Sequence, residues 1–260
     1  MATLTPEKKE NYERLFAGCL IKEAKYPEID GIIAKMVASK SRYESVANTL
    51  NIPWYIISII HCMEGSLRFD KHLHNGDPLK NRTVQVPANR PKTGNPPFTW
   101  EASATDALTF DGLSKWTDWS IAGMLYKLEG YNGWGYYSRG INSPYLWSYS
   151  NNYTKGKYVV DGKYDPEAVS KQAGAAVLLR RLREKQFITF PDQEDIVKQI
   201  LAQGKLTQYY KGAPTDAATI LQRMLNKAGG VLRVDGKAGE LTSNEYFKFS
   251  GVYLDGDPRK

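Results

Sequence analysis

Glu64 is the residue whose type and position best suit it to act as a general acid. It ends residues 51–64, which carry Pro53 near their start and are apolar on nearly every face, so the sequence predicts a buried helix. A carboxyl at the end of such a helix loses part of its hydration, which raises its pKa. A carboxylic acid that stays protonated near neutral pH can protonate a leaving oxygen. The alternative is a helix-end glutamate that points into water, and helix position alone favours neither.

The segment after Glu64 is polar and carries two further candidate residues, Asp77 and Thr83. Apolar and polar residues alternate at 67–69 and again at 84–86, on either side of a turn at 75–78. This pattern predicts a β-hairpin of two short strands. The sequence therefore predicts a buried helix, an acid at its end, and a polar hairpin, in that order.

This order resembles the lysozyme-like superfamily, which includes phage endolysins, goose-type lysozymes and lytic transglycosylases. The spacing of six between Asp77 and Thr83 resembles the phage-type hairpin, and the spacing of thirteen between Glu64 and Asp77 resembles goose-type enzymes. The segment Tyr131-Asn132-Gly133 is similar to the centre of a segment that lines the cleft opposite the acid in goose-type lysozymes and lytic transglycosylases. The resemblance covers about residues 40–185.

The resemblance implies a mainly helical α+β domain that cleaves the β-1,4 bond of peptidoglycan glycan strands without a cofactor. Glu64 would protonate the glycosidic oxygen, and Asp77, with Thr83 beside it, would activate water or stabilise the developing oxocarbenium ion. If no carboxylate lies opposite Glu64, intramolecular attack would give an anhydro product, as in lytic transglycosylases. Two further alternatives are a chitinase or chitosanase of the same broad fold, and a wall-binding protein without activity.

Aromatic residues are concentrated after residue 125. Residues 126–164 hold nine of the seventeen tyrosines and two of the six tryptophans. Such a density is typical of a packed core, but tyrosine and tryptophan faces also suit pyranose rings. The candidates for contact with sugar are those next to or including the Tyr-Asn-Gly segment: Tyr131, Asn132, Trp134, Tyr136 and Tyr137.

The C-terminal residues 205–260 resemble the small helical peptidoglycan-binding domain. The residues that carry this resemblance are Leu221, Gln222, Asp235, Gly236, Gly239 and Thr242. The alternative is a helical hairpin with a structural role, because glycine turns and threonine caps are common architectural features. We expect a lysozyme-like catalytic domain at 1–204, including the N-terminal helices, and a wall-binding module at 205–260.

Composition is that of an ordinary globular protein, with 42% apolar and 24% charged residues among 260. The net charge of +7 favours polyanions, whether nucleic acid, acidic membrane or cell wall. The basic residues at 180–185 suit a helix C-terminus, so we expect no nucleic-acid binding. No stretch has transmembrane length and the N-terminus lacks the apolar core of a signal peptide. We therefore expect a monomer that is made in the cytoplasm, does not insert into membranes, and reaches the wall by a route that the sequence does not show.

Cysteines and histidines offer little further chemistry. Cys19 and Cys62 lie in apolar helical patterns, which predict buried free thiols. His72 and His74 could face one side of a strand, but no further ligand at suitable spacing completes a metal site, so we expect two solvated histidines and no metal.

Other helices follow from capping signals and apolar spacing. They are predicted from Thr5, at 28–38, 41–50, 100–109 and 118–129, from Asp165 onwards, at 192–203 with an end at Gly204, and twice after residue 214. Residues 87–97 contain four prolines and predict an irregular loop that borders the cleft.

Overall fold

The computed structural model describes residues 3–160 and 162–260, apart from the side chains of residues 191–195. The chain forms two compact units. The first contains Cys19–Ile188 and the residues before Pro6, and the second contains Pro6–Gly18 and Thr189–Lys260. The expected boundary at residue 204 differs from this division, which assigns the N-terminal helix and the helix before residue 205 to the second unit.

The described part of the chain is mainly helical, as expected for the α+β class. The helices are α1 (Pro6–Ala17), α2 (Tyr26–Ala38), α3 (Lys40–Leu50), α4 (Trp54–Gly65), α5 (Trp100–Phe110), α6 (Ile121–Asn132), α7 (Pro144–Trp147), α8 (Ala175–Glu184), α9 (Pro191–Lys205), α10 (Asp216–Lys227) and α11 (Glu240–Ser250). The strands are β1 (Lys157–Val160) and β2 (Lys163–Asp165), which pair antiparallel. None of the helices in the described residues has both the length and the apolar character needed to cross a bilayer.

Helix α8 forms the centre of the first unit. It is apolar on all sides over its first turns, and it packs against α2, α4, α6 and α7. Helix α3 packs against α4 and α5. Four isoleucines of α4, at positions 56, 57, 59 and 60, are fully buried. Because α4 is enclosed by α3 and α8, the position of its C-terminal end is fixed by the core.

The predicted hairpin at residues 67–87 is wrong. Only an isolated bridge joins Lys71 to Pro78 there, and the antiparallel pair of strands lies instead at β1 and β2, with Tyr158 opposite Tyr164. Two features prevent a regular ladder in this segment. Pro78 has no N–H to donate, and the side chain of Asp77 binds the backbone N–H groups of the segment that was expected to form the second strand.

The helix predicted from Asp165 is also wrong. Asp165 ends β2, and its carboxylate accepts hydrogen bonds from the backbone of Glu167 and Ala168, which satisfies the capping pattern without a helix. Helix α8 begins only after Gly174. A Cβ at Gly174 would lie 2.2 Å from the carbonyl oxygen of Leu146. The helix therefore begins where the backbone can approach α7 closely.

The second unit has its own apolar core. Fully buried residues of α9, α10 and the C-terminal segment form it, among them Ile200, Leu221, Leu225 and Leu254. Helix α1 contributes Phe16, whose ring centre lies 5.8 Å from that of Phe190.

Helix α9 continues through Gly204, whereas the sequence predicted its end there. A side chain at position 204 would collide with the ring of Tyr246. This glycine therefore serves helix packing and not helix termination.

A buried hydrogen-bond network links the residues that resemble a peptidoglycan-binding domain. The amide nitrogen of Gln222 donates to Asp235 Oδ1 at 3.0 Å, to Thr242 Oγ1 and to the Lys237 carbonyl. The amide oxygen of Gln222 accepts from the backbone N–H groups of Asp235 and Gly236. Because these groups bond to each other in the interior, they hold the loop between α10 and α11 in place.

Candidate active site

Glu64 lies next to the C-terminal end of α4, where the chain reverses sharply. Ser66 and Leu67 follow it with φ angles of 49° and 59°, and the Leu67 N–H returns to the His61 carbonyl at 3.2 Å. The left-handed conformation costs roughly 1–2 kcal/mol for each residue that carries a Cβ. Gly65 precedes these two residues, and a Cβ there would lie 2.9 Å from His61 Cδ2. Strained backbone of this kind is common at functional sites.

His61 lies one helical turn before Glu64 and anchors this end of α4 to the core. It is buried, and its Nδ1 forms a 3.0 Å hydrogen bond with the hydroxyl of Tyr43. The rings of Trp100 and Phe69 lie 4.5 and 4.7 Å from the imidazole. Burial lowers the pKa of His61 to about 4, so the ring is neutral near pH 7. His61 therefore acts as a rigid support one helical turn below Glu64.

The carboxyl of Glu64 has the properties expected of a general acid. Burial among protein atoms raises its pKa, although part of the side chain remains open to solvent. The hydroxyl of Tyr145, on α7, donates to Glu64 Oε1 at 2.8 Å, and this hydrogen bond lowers the pKa of Glu64. The negative charge of Asp111 raises that pKa. The partial negative charge at a helix C-terminus also disfavours the ionised form.

Asp111 is the second acidic group at this site. It caps the C-terminal end of α5, and the Tyr131 hydroxyl donates to its Oδ2 at 3.1 Å. Burial raises the pKa of Asp111 as well, and its side chain also remains accessible. The two acidic residues thus each lie at the end of a helix, and each accepts a hydrogen bond from a tyrosine hydroxyl.

Sequence reasoning missed Asp111 and Tyr145. Asp111 follows a predicted helix in the manner of any surface aspartate, and Tyr145 is one of many tyrosines in its region. The only available signal was the serine at 143, which caps α7 and so orients Tyr145.

A cavity of about 350 Å³ is lined by one of the two acidic residues, Asp111, whereas Glu64 is not among its lining residues. The residues that line it are Asp111, Leu113, Tyr126, Lys127, Gly130, Tyr131 and Trp134. Two of the five predicted sugar-contacting residues, Tyr131 and Trp134, are among them. The volume is at the lower end of the range typical of ligand pockets, roughly 300–1,000 Å³.

The other predicted sugar-contacting residues lie around a neighbouring surface. Asn132 and Tyr136 line a second cavity of about 510 Å³, together with part of β1. Tyr136 is largely buried, and its hydroxyl accepts the backbone N–H of Tyr158, so it mainly anchors the β-strands. Tyr137 is exposed and meets the edge of Trp134. Four of the five residues thus line one of two cavities, and Tyr137 is not among the lining residues of either.

Asp77 and Thr83 organise the loop after Glu64. The Asp77 carboxylate accepts from the backbone N–H of Gln85 and Val84, at 3.1 and 2.8 Å, and from the Asn75 amide. These bonds lower its pKa. Thr83 Oγ1 donates to the Pro87 carbonyl and accepts the Arg90 N–H.

In the described part of the chain, no hydrogen bond or ion pair joins Asp77 or Thr83 to Glu64. Their catalytic roles stay predictions, and their bonding favours a structural role.

The two histidines of this loop are buried, so the expectation that both are solvated is wrong. His72 bonds to Ser103 Oγ and to the Asn81 carbonyl, both at 2.8 Å. His74 Nε2 bonds to Asp106, which also pairs with Arg90. They attach the loop to α5. The residues that the structure describes contain no cluster of three or more potential metal ligands.

Both cysteines are free thiols. Cys19 is buried as predicted, and Cys62 is partly buried.

No protein-family model matches the chain, and neither curated proteins nor solved structures give a significant match. The lysozyme-like resemblance therefore depends on short motifs, and function has to be argued from the geometry of the site.

Proposed function

We propose that the first unit is a glycosidase that cleaves the β-1,4 bond of peptidoglycan glycan strands, a muramidase with Glu64 as general acid. The observation that carries the proposal is the pair of acidic groups at the ends of α4 and α5. Each has a raised pKa and each accepts a tyrosine hydroxyl. Glycoside cleavage uses two carboxyl groups, and here Asp111 lines a cavity with aromatic walls while its charge acts on Glu64.

Glu64 supplies the proton in this mechanism. In its protonated form it donates to the glycosidic oxygen as the bond to the anomeric carbon breaks, and it becomes a carboxylate. The Tyr145 hydroxyl already points at Oε1, so it stabilises the negative charge that appears in the transition state. The same hydrogen bond contributes less while Glu64 is protonated, and this difference is what accelerates a reaction.

Asp111 takes the part that sequence analysis gave to Asp77. In its ionised form it either orients the attacking water or stabilises the positive charge on the anomeric carbon. Its Tyr131 hydrogen bond favours that ionised form, and burial opposes it. Asp77, by contrast, already uses its carboxylate to bind the loop backbone.

A lytic transglycosylase is the second candidate, and the raised pKa of Asp111 favours it. A protonated Asp111 activates no water. Once Glu64 has protonated the leaving oxygen, the 6-hydroxyl of the muramic acid residue would attack its own anomeric carbon and give its proton to the Glu64 carboxylate, and the product would end in an anhydro sugar. Hydrolysis gives reducing ends instead, so mass analysis of the products separates the two.

The deciding experiment is digestion of purified peptidoglycan by Glu64→Gln. The amide is nearly isosteric but cannot donate the proton, and loss of a positioned acid lowers the rate by about 10²–10⁴. Glu44→Gln is a matched control, because Glu44 pairs with Lys40 at an exposed position on α3. Cleavage by folded Glu64→Gln at a rate within a few-fold of the unmodified protein would remove Glu64 from the mechanism.

The second unit is proposed to bind the cell wall. The resemblance at residues 221–242 supports this proposal. A protein that joins residues 189–260 to residues 6–18 through a short linker contains the unit without the first one. It should sediment with purified cell walls. If it folds but stays in the supernatant, the second unit has a structural role.

A further inference from the structure

The cavity that Asp111 lines has one cationic side chain among its lining residues, that of Lys127. Its Nζ lies 4.5 Å from the ring centre of Trp116, and Trp116 stacks on Tyr126 at 5.5 Å with an interplanar angle of 28°. A cation over an aromatic face is held in position but keeps its full charge. Trp116 and Tyr126 therefore fix the position of this ammonium at the cavity.

Lys127 has no acidic partner within the residues that the structure describes. Asp111 lines the same cavity, but the two side chains do not form a salt bridge. Lys127 is also half-buried, and its lost hydration lowers its pKa. A partly dehydrated charge attracts an anion more strongly than one in bulk water does. The cavity thus combines the aromatic side chains of Tyr126, Tyr131 and Trp134 with a positive charge that a ligand can use.

We propose that this cavity is a saccharide subsite in which Lys127 recognises a carboxylate carried by the sugar. The proposal rests on the glycosidase function and adds a specificity to it. Aromatic faces bind the ring of any pyranose, so they do not separate one glycan from another. The ammonium of Lys127 does distinguish between glycans, because it favours an acidic sugar unit over a neutral one and disfavours a cationic one.

The chemistry selects among the polymers that the fold could cleave. Muramic acid carries a lactyl group that ends in a carboxylate on bare glycan strands and continues into a stem peptide, with its own carboxylates, on intact strands. Chitin is neutral and chitosan is cationic. Lys127 therefore favours peptidoglycan over both.

Binding to the full-length Glu64→Gln protein tests the subsite without turnover. The probes are a bare muramic-acid-containing tetrasaccharide, the same compound with its lactyl carboxylates converted to methylamides, a form that carries stem peptides, and tetramers of chitin and chitosan. Titration calorimetry should show about tenfold tighter binding of the bare acid than of the methylamide, as expected for one charge-assisted contact at a half-exposed lysine.

The variant Lys127→Met removes the ammonium and keeps an unbranched side chain. Added to Glu64→Gln, it should abolish the tenfold preference and change chitin tetramer affinity less than twofold. Lys115→Met is the charge-matched control, because Lys115 is exposed and does not line the cavity. It should leave the preference intact. If the protein binds the stem-peptide form most tightly and Lys127→Met abolishes this preference, Lys127 contacts a carboxylate of the peptide. If the protein binds the bare acid most tightly, Lys127 contacts the carboxylate of the lactyl group.

Two results overturn the proposal. One is an unchanged ratio between acid and methylamide in Lys127→Met, and the other is tightest binding of the chitosan tetramer. Cleavage assays with the unmodified protein remain a separate test. If peptidoglycan is not cleaved but the Lys127-dependent preference is present, the glycosidase function fails and the acidic-sugar site stands.

Discussion

Replacing Tyr145 with phenylalanine removes the hydroxyl that donates to Glu64 Oε1 at 2.8 Å. This hydrogen bond favours the ionised carboxyl, so its loss should raise the pKa of Glu64 further. Hydrogen bonds to charged groups contribute roughly 1.5–3 kcal/mol, and the lower end applies because Glu64 is partly open to solvent. One pKa unit corresponds to about 1.4 kcal/mol. We therefore expect a shift of about one unit upwards.

The sign of the effect on activity follows from the role of Glu64. A general acid acts in its protonated form, so kcat/KM falls as the pH rises through its pKa. In Tyr145→Phe this alkaline limb should move to higher pH by about one unit. The maximal rate should fall by less than about tenfold, because the carboxylate formed in the transition state loses one stabilising contact.

The assay is the pH dependence of kcat/KM on soluble peptidoglycan fragments at constant ionic strength, with unfolding midpoints measured at each pH. Asp111→Asn gives the opposite sign, because removal of its negative charge should lower the pKa of Glu64 and move the alkaline limb to lower pH. Tyr210→Phe is a control in the second unit, where the hydroxyl donates to the Gly212 carbonyl. An alkaline limb that stays fixed in folded Tyr145→Phe would refute the assignment of that limb to Glu64.

Three further results are expected. The free energy of unfolding should fall as the pH drops from about 6.5 towards 4, because His61 becomes protonated in the unfolded chain over this range but not in the folded chain. In His61→Gln the slope of the free energy of unfolding against pH should be smaller by roughly 1.4 kcal/mol per pH unit. Gln222→Leu should destabilise the second unit by about 3 kcal/mol in chemical denaturation, since it strands several buried polar groups, and a loss below 0.5 kcal/mol would contradict the network. Asp77→Asn should retain peptidoglycan cleavage within about tenfold, whereas a loss near 10³-fold would restore Asp77 as the base.

Local patterns predicted the parts of the site that depend on local chemistry. The apolar run after Pro53 predicted a buried helix with Glu64 near its end, and α4 confirms this. Glu64 itself is exposed, but burial raises the pKa of its carboxyl, in the expected direction. The Tyr-Asn-Gly segment also predicted that Tyr131 and Trp134 line a cavity, and both do. In these cases one helix or one short segment supplied the whole signal.

The rest of the site depends on contacts between distant parts of the chain. Tyr145 and Glu64 are 81 residues apart, and no periodicity connects them. The loop after Glu64 was misjudged because side chains of Asp77 and Thr83, and not strand pairing, bind its backbone. Alternation of apolar residues predicts strands only where backbone groups are left to pair with each other.

The order of the chain has a consequence for how this protein is made. Helix α1 belongs to the second unit, while the remainder of that unit begins at Thr189, so Cys19–Ile188 of the first unit are an insertion within the second. On the ribosome α1 emerges first, but Phe190, its aromatic partner, follows only after the whole first unit. The first unit can complete its fold during synthesis, whereas the apolar side chains of α1 remain exposed to solvent until residues 189–260 have been made. A circular permutant that begins at Cys19 and joins Lys260 to Pro6 would make both units contiguous, and it should reach the folded state with less chaperone assistance.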